Sequence, residues 1–139
     1  MDAIAISRSG LNVEWRRMEV IALNLANMES TGGADGKGYV PLHLVSGPAE
    51  SFGQVLNGMQ APEGVKVYGI EPSKGGTRRV YEPTHPHADS QGFVTRPNVS
   101  HADEMTLMVK TARAYEANLV AMSTAQQIYS AALQIGRQQ

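Results

Sequence analysis

The residues best placed to do chemistry in this chain are His85, His87 and Asp89, in the run His85-Pro86-His87-Ala88-Asp89. On an extended segment, histidines two apart point the same way, and Asp89 would join them as a third ligand for a borderline transition metal. Nothing completes the shell: there is no HExxH, no cysteine and no second acidic cluster at a useful spacing. Exposed loop residues are therefore the better reading, and a small metal-dependent enzyme using His85, His87 and Asp89 the weaker one. His43 and His101 stand alone. The glycines of Gly32–Gly38 are reminiscent of a phosphate loop, but their spacing is wrong. Tyr39-Val40-Pro41 also follows where a helix would have to begin, so the run reads as a hairpin or linker. No GxSxG elbow, P-loop or GxGxxG is present. Zero cysteines exclude a disulfide framework, a thiol nucleophile and a Cys-based zinc site. Arg78-Arg79 falls far short of a nucleic-acid surface in a chain of net charge −1. The residues name no catalytic group, no cofactor and no metal.

What must position any site is legible in the helix breakers. All 7 prolines lie between Pro41 and Pro97, and 12 of the 14 glycines lie between Gly32 and Gly92. Gly and Pro interrupt helices and mark turns, so the 139 residues divide into helix, turn-rich middle and helix. Both ends are neutral and poor in charge: residues 2–28 carry three acids and three arginines, and 102–139 carry three charges of each sign. Such ends suit burial against something.

At the N-terminal end Ile4, Leu11, Met18 and Leu25 recur every seven residues, interleaved with Ser7, Glu14, Ile21 and Met28. Only half of the second set is apolar, while Trp15 and Ala22 widen the stripe on one flank. This predicts an amphipathic helix with a defective heptad. The C-terminal pattern is cleaner. Met105, Met108, Ala112, Tyr115, Leu119, Met122, Gln126, Tyr129, Leu133 and Gly136 follow alternating spacings of 3 and 4 without a slip. Ser100 or Asp103 would cap its start, with Asp103 and Glu104 at the positive end of the dipole. A helix of roughly 50 Å, at ~1.5 Å per residue, cannot bury that stripe against a middle so poor in large apolar residues. Its partners are the N-terminal helix and a neighbouring subunit; the alternative is a helical hairpin inside a monomeric ligand-binding domain.

In the middle, Tyr39–Val45, Val65–Ile70, Arg79–Tyr81 and Phe93–Thr95 read as strands, with Pro41 marking an edge. Gly32–Gly36 and Ser73–Gly76 read as turns, and 46–64 as a loop. The expected fold is α+β: long terminal helices forming a coiled-coil pair, with a small β-rich, Gly/Pro-rich insertion. The segments are 1–31 (N-terminal helix), 32–100 (middle) and 101–139 (C-terminal helix). No apolar run approaches the ~20 residues of a membrane span. The start lacks the basic lead and apolar length of a cleavable signal, so departure from the cytosol would need another route.

Two asparagine motifs remain. Asn24-Leu25-Ala26-Asn27 runs into Ser30-Thr31-Gly32, which propensity explains as a helix stop. Tyr115-Glu116-Ala117-Asn118 puts an Asn mid-helix, where it is either solvated or paired across an interface. Together with the segment Tyr81-Glu82-Pro83, Pro86, Ala88-Asp89, Gly92-Phe93-Val94 and Pro97-Asn98-Val99, and with Glu104-Met105 opening the long helix, these resemble the bacterial flagellar axial proteins. The N-terminal motif is shared by rod and hook proteins, whereas Tyr81, Glu82, Pro83, Asp89, Gly92, Pro97 and Asn98 are similar to the C-type rod protein. A different rod or hook subunit is the alternative within the family.

The resemblance implies a structural subunit of the flagellar basal-body proximal rod, not an enzyme. Its terminal helices would form an inner coiled-coil layer that assembles helically, transmits torque and lines the export channel. Expected assembly residues are Leu11, Met18, Ile21, Asn24, Leu25 and Asn27 on the first helix. On the second they are Met105, Met108, Ala112, Tyr115, Asn118, Leu119, Met122, Tyr129 and Leu133. The implied partners are copies of itself, other proximal rod proteins, the ring-to-rod adaptor, distal rod proteins and the flagellar type III export apparatus. That apparatus would deliver the chain to the periplasm without a signal peptide. Nucleic acid and membrane insertion are not expected.

Overall fold

The computed structural model describes residues 3–32, 37–49 and 64–137. Two helices carry the chain, α1 (Ala3–Asn27) and α2 (His101–Gly136). Between them β1 (Leu42–Pro48) and β2 (Val65–Pro72) form one antiparallel pair, and β3 (Thr77–Tyr81) and β4 (Phe93–Pro97) a second. The architecture is α+β, two long terminal helices packed together with two small sheets between them. Each expected strand is present, but the first is corrected at its start: β1 begins at Leu42, and Tyr39–Pro41 lie before it, Pro41 having no N–H to give a ladder. The expected loop over 46–64 is corrected at its start, because Ser46–Pro48 continue β1 through a bulge between Val45 and Ser46. The rest of that loop from 50 to 63, and the turn over 33–36, lie outside the described residues.

Local chemistry explains where the helices begin and end. The acids and arginines of α1 pair one turn apart, Arg16 with Glu19 at 3.1 Å and Arg17 with Glu14 at 3.2 Å. At its C-terminus the Asn27 amide donates to the Leu23 carbonyl at 2.9 Å, and the Ser30 N–H donates to the Asn27 carbonyl at 3.0 Å. The Ser100 hydroxyl caps α2 by accepting the Asp103 N–H at 3.3 Å, with Asp103 and Glu104 in the first turn.

The helices run antiparallel. Asn24 faces Glu104 near one end, the Trp15 and Tyr115 rings meet at 6.3 Å, and Gly10 packs against Asn118. The face that α1 buries is Ser7, Gly10, Val13, Val20, Ile21 and Asn24. On α2 the fully buried residue is Thr111, in line with Glu104 and Asn118. This departs from the expected seams. Leu11, Met18 and Leu25 are only half-buried, as are Met108, Ala112, Tyr115 and Met122, while Met105, Leu119, Tyr129 and Leu133 are exposed. The reason is steric. Gly10 and Ser7 let the two backbones approach along a line of small and polar residues, and that line, not the apolar heptad, lies at the centre of the contact.

Length sets the other departure. α2 has 36 residues and α1 has 25, so the antiparallel register brings the start of α1 beside the stretch around Ala125. Residues 126–136 project past it, exposed on every side, by about 16 Å at ~1.5 Å per residue. The apolar core is correspondingly small: Val13, Val20 and Leu44 cluster with Leu42 packed against them, where β1 lies on α1.

A Cβ on Gly10 would sit 2.5 Å from the Asn118 side-chain oxygen, whereas one on Gly69 would meet nothing within 4 Å. Gly10→Leu should therefore destabilise the helix pair by about 1–3 kcal/mol through overpacking. Gly69→Ala should stay within about 0.5 kcal/mol of wild type. Urea unfolding of the two variants checks the contrast.

Candidate functional site

Asn24 explains the first asparagine motif. Its side chain is 1% exposed and fully used. The amide nitrogen donates to the Leu42 carbonyl at 2.8 Å, and the amide oxygen accepts the Leu42 N–H at 2.9 Å and the Tyr39 hydroxyl at 2.8 Å. The carboxamide thus acts as one more peptide unit paired with the first residue of β1. The same amide nitrogen reaches Glu104 Oε1 at 3.4 Å, so a single side chain touches α1, β1 and α2. Burial first, and the Glu104 charge second, push the Tyr39 hydroxyl above the ordinary tyrosine range. Arg17 adds a second tie, donating to the Ser46 hydroxyl at 2.8 Å beside the bulge. A cavity of about 190 Å³ lies between these elements, lined by Arg17, Ile21, Asn24, Leu44, Glu104 and Leu107 among others.

The segment Tyr81–Asn98 is a second joint. The Asp89 side chain accepts the Gln91 and Phe93 N–H groups, each at 2.9 Å, and pairs with Arg79. The Phe93 N–H foremost, then the Gln91 N–H and the Arg79 charge, hold the Asp89 carboxyl below the usual carboxylate range. Gly92 turns this loop at φ +81°, and a Cβ there would press on Tyr81 at 2.9 Å and Pro83 at 3.1 Å. Tyr81 packs edge-on against Phe93 with ring centroids 5.3 Å apart. Asn98 closes the opposite end of the hairpin, its N–H on the Gly76 carbonyl at 3.1 Å, while Pro97 is buried. Arg96 fastens the hairpin to the end of α1, bonding Glu82 at 3.0 Å and Glu29 at 2.7 Å.

The metal reading fails on geometry. The segment His85–Asp89 forms turns, not the extended run that would align its side chains. His85 Nδ1 accepts the His87 N–H at 3.0 Å, His87 Nδ1 lies 2.8 Å from the Thr31 hydroxyl, and Asp89 is taken up by Arg79 and the backbone. Among the described residues no three His, Asp or Glu come together as a metal cluster.

Asn118 is half-buried and is not paired through its amide to α1. Its nitrogen donates back to the Ala114 carbonyl at 2.9 Å while its oxygen lies against Gly10. Of the expected apolar residues, Met18 and Met108 meet on one flank of the helix pair. Trp15, Met18, Ala22 and Met108 line an apolar groove of about 290 Å³ there. The Trp15 ring is held by its N–H on Glu19 at 3.1 Å and remains 55% exposed. Tyr39, Arg96 and Gly10 are not among the site residues expected from sequence, and Glu104 is expected only as a residue that opens the long helix. Gly10 carries a signal as the one helix breaker in the first 28 residues.

A family model described as the C-terminal part of the flagellar basal body rod FlgEFG proteins matches residues 90–135. The chain is 37% identical over 145 aligned positions to the flagellar basal-body rod protein FlgC of Bacillus subtilis (strain 168), covering 97% of each. It is 34% identical to FlgC of Salmonella typhimurium, covering 95% of this chain and 94% of that one. Against FlgC of Borreliella burgdorferi the identity is 30%, with coverage of 96% and 95%.

Asn24→Ala strands the Leu42 N–H and C=O and the Tyr39 hydroxyl, and should cost about 1–3 kcal/mol in urea unfolding. A depressed carboxyl pKa contributes stability that is present above the unfolded value and lost as pH falls through the folded one. Local protection of the Gln91 and Phe93 amides should therefore hold at neutral pH and fall away only in acid, below the ordinary carboxylate range. Amide exchange in wild type and Asp89→Asn, read against pH, checks this.

Proposed function

The chain belongs to the family of the flagellar basal-body rod protein FlgC and is a structural rod subunit, not an enzyme; from that premise we propose that its terminal helices are the assembly elements. The observation that carries this reading is where the apolar side chains lie. Val13, Val20, Ile21, Leu44 and Val94 are buried, yet Trp15, Met105, Leu107, Val109, Leu119, Val120, Ile128, Tyr129, Leu133 and Ile135 are exposed on the helices. Exposed apolar surface on this scale marks a face that a partner covers. Contacts between different patches of identical subunits generate rings where the rotation closes and helical arrays where it does not, and the second is the geometry a rod requires.

The family implies assembly with other flagellar rod components. The finer roles follow as part of the same proposal. Copies of this chain, other proximal rod proteins, the ring-to-rod adaptor and distal rod proteins are the neighbours, and the type III apparatus delivers it to the periplasm. The helices of 1–31 and 101–139 form an inner layer that lines the export channel and transmits torque, with Met105, Met108, Ala112, Tyr115, Leu119, Met122, Tyr129 and Leu133 on contact faces. The hairpin of β3 and β4, pinned to α1 through Arg96, lies outside that layer as the part specific to this subunit.

Leu119 separates assembly from folding, because it is 46% exposed in the single chain. Leu119→Ala should leave unfolding of the isolated protein within about 0.5 kcal/mol of wild type. A leucine fully buried on assembly loses about 2–5 kcal/mol when truncated, so the variant should be depleted from purified basal bodies and reduce motility. Normal incorporation and swimming would remove Leu119 from the contact.

A further inference from the structure

We infer that the projecting end of α2, residues 126–136, seats in the flank groove of a second copy of this chain, against Trp15, Met18, Ala22 and Met108. The inference rests on the rod-subunit reading and names which two surfaces of the chain meet. Both are defined by this structure. The groove is a preorganised acceptor. The Trp15 ring is fixed by its N–H bond to Glu19 and by contact with Tyr115, yet over half of it is open to water. Large aromatics held in one orientation over an apolar pocket are the typical anchors of protein interfaces. Glu19, the one charge on the rim, is already engaged by Trp15 and Arg16.

The donor follows from what the chain itself exposes. No charged residue stands between Glu116 and Arg137, so the projecting turns bring no charge that the groove would leave unpaired. Tyr129 and Leu133 continue the α1-facing line of α2 beyond the point where α1 covers it, and both are exposed. The exposed apolar strand β2 carries Lys66 and Glu71 and would strand them in such a groove.

The two surfaces cannot meet within one chain. Trp15–Ala22 lie beside the first half of α2, as the Trp15–Tyr115 and Asn24–Glu104 contacts show. The end of α2 is about 20 residues further along a continuous helix, some 30 Å at ~1.5 Å per residue. Donor and acceptor at separate places on one rigid element make a head-to-tail contact, which propagates as a helical array wherever its rotation does not close a ring.

The absence of cysteine permits a clean disulfide test. Ala22→Cys with Ala132→Cys in one chain, expressed as the sole copy, is oxidised in purified basal bodies. The expected result is a ladder of covalent dimers and higher multimers of this chain. Cells carrying the two single variants together should yield dimers only, and either single variant alone should yield monomer. Monomer alone from double-variant chains that are incorporated normally would overturn the inference while leaving the rod-subunit reading intact, as would Ala22→Cys labelled with a thiol bait capturing a protein of different mass. Should that pair hinder incorporation, Met18→Cys with Gly136→Cys is judged by the same outcomes. Wild-type chain absent from basal bodies would instead defeat the rod reading itself.

Discussion

The structure depends on one carboxamide. The α1 helix and the strand β1 present mismatched surfaces, one with its backbone groups satisfied internally and the other with an N–H and a C=O at Leu42 to place. Asn24 joins them because its side chain carries the same donor and acceptor as a peptide unit. Its amide nitrogen and oxygen hold the Leu42 C=O and N–H at 2.8 and 2.9 Å. Aspartate, alanine or leucine at this position could not satisfy both groups. The reach of the same amide to Glu104 carries the constraint to α2, so helix pair and sheet share one node. In a chain whose buried apolar set is small, an unsatisfied buried pair of polar groups would consume a large share of net stability.

From that node outward the helix pair divides its faces. The inner line includes small and polar residues, Ser7 and Gly10 on α1 and Thr111 and Asn118 on α2, and where Gly10 meets Asn118 it gains closeness in place of buried hydrocarbon. The side toward β1 takes Val13 and Val20. One remaining flank holds Met18, Met108 and the one tryptophan. An arrangement in which the best apolar pattern is not spent on the chain's own core suits a subunit whose final stability is set by its neighbours.

This division decides how far the sequence could be read. Element types were legible because breakers and periodicity are local: both helices, four strands, the Ser73–Gly76 turn and the Ser100 cap follow from residue type and spacing. The rotation of the helices was not. A heptad records which residues want burial, but not whether the chain or a neighbour buries them. Met105 and Leu119 satisfy the pattern as well as Met108 and Tyr115 do, yet are exposed. Asn24 and Asn27 look alike as helix-stop residues, and only Asn27 acts as one; the role of Asn24 required Leu42, 18 residues away. His85 and His87 resembled ligands because their spacing assumes an extended backbone, and the turns through Pro86 remove that premise.

The β3–β4 hairpin completes the division because it is joined to the helices by charge, with little apolar contact. Arg96 is held between Glu82 of its own hairpin and Glu29 just past the end of α1, with its side chain 16% exposed. A planar fork with two carboxylates fixes an angle as well as a distance. The Gly32 N–H on the Thr95 carbonyl at 3.0 Å and Thr31 beside His87 add neutral contacts on the same side. The hairpin is thereby positioned relative to α1 without using any of the flank that the helices expose. A shared helical layer can then be common to related subunits while the appended hairpin distinguishes them. That accounts for the placement of the Tyr81–Asn98 segment, whose chemistry is directed at holding its own loop and its angle to the helix.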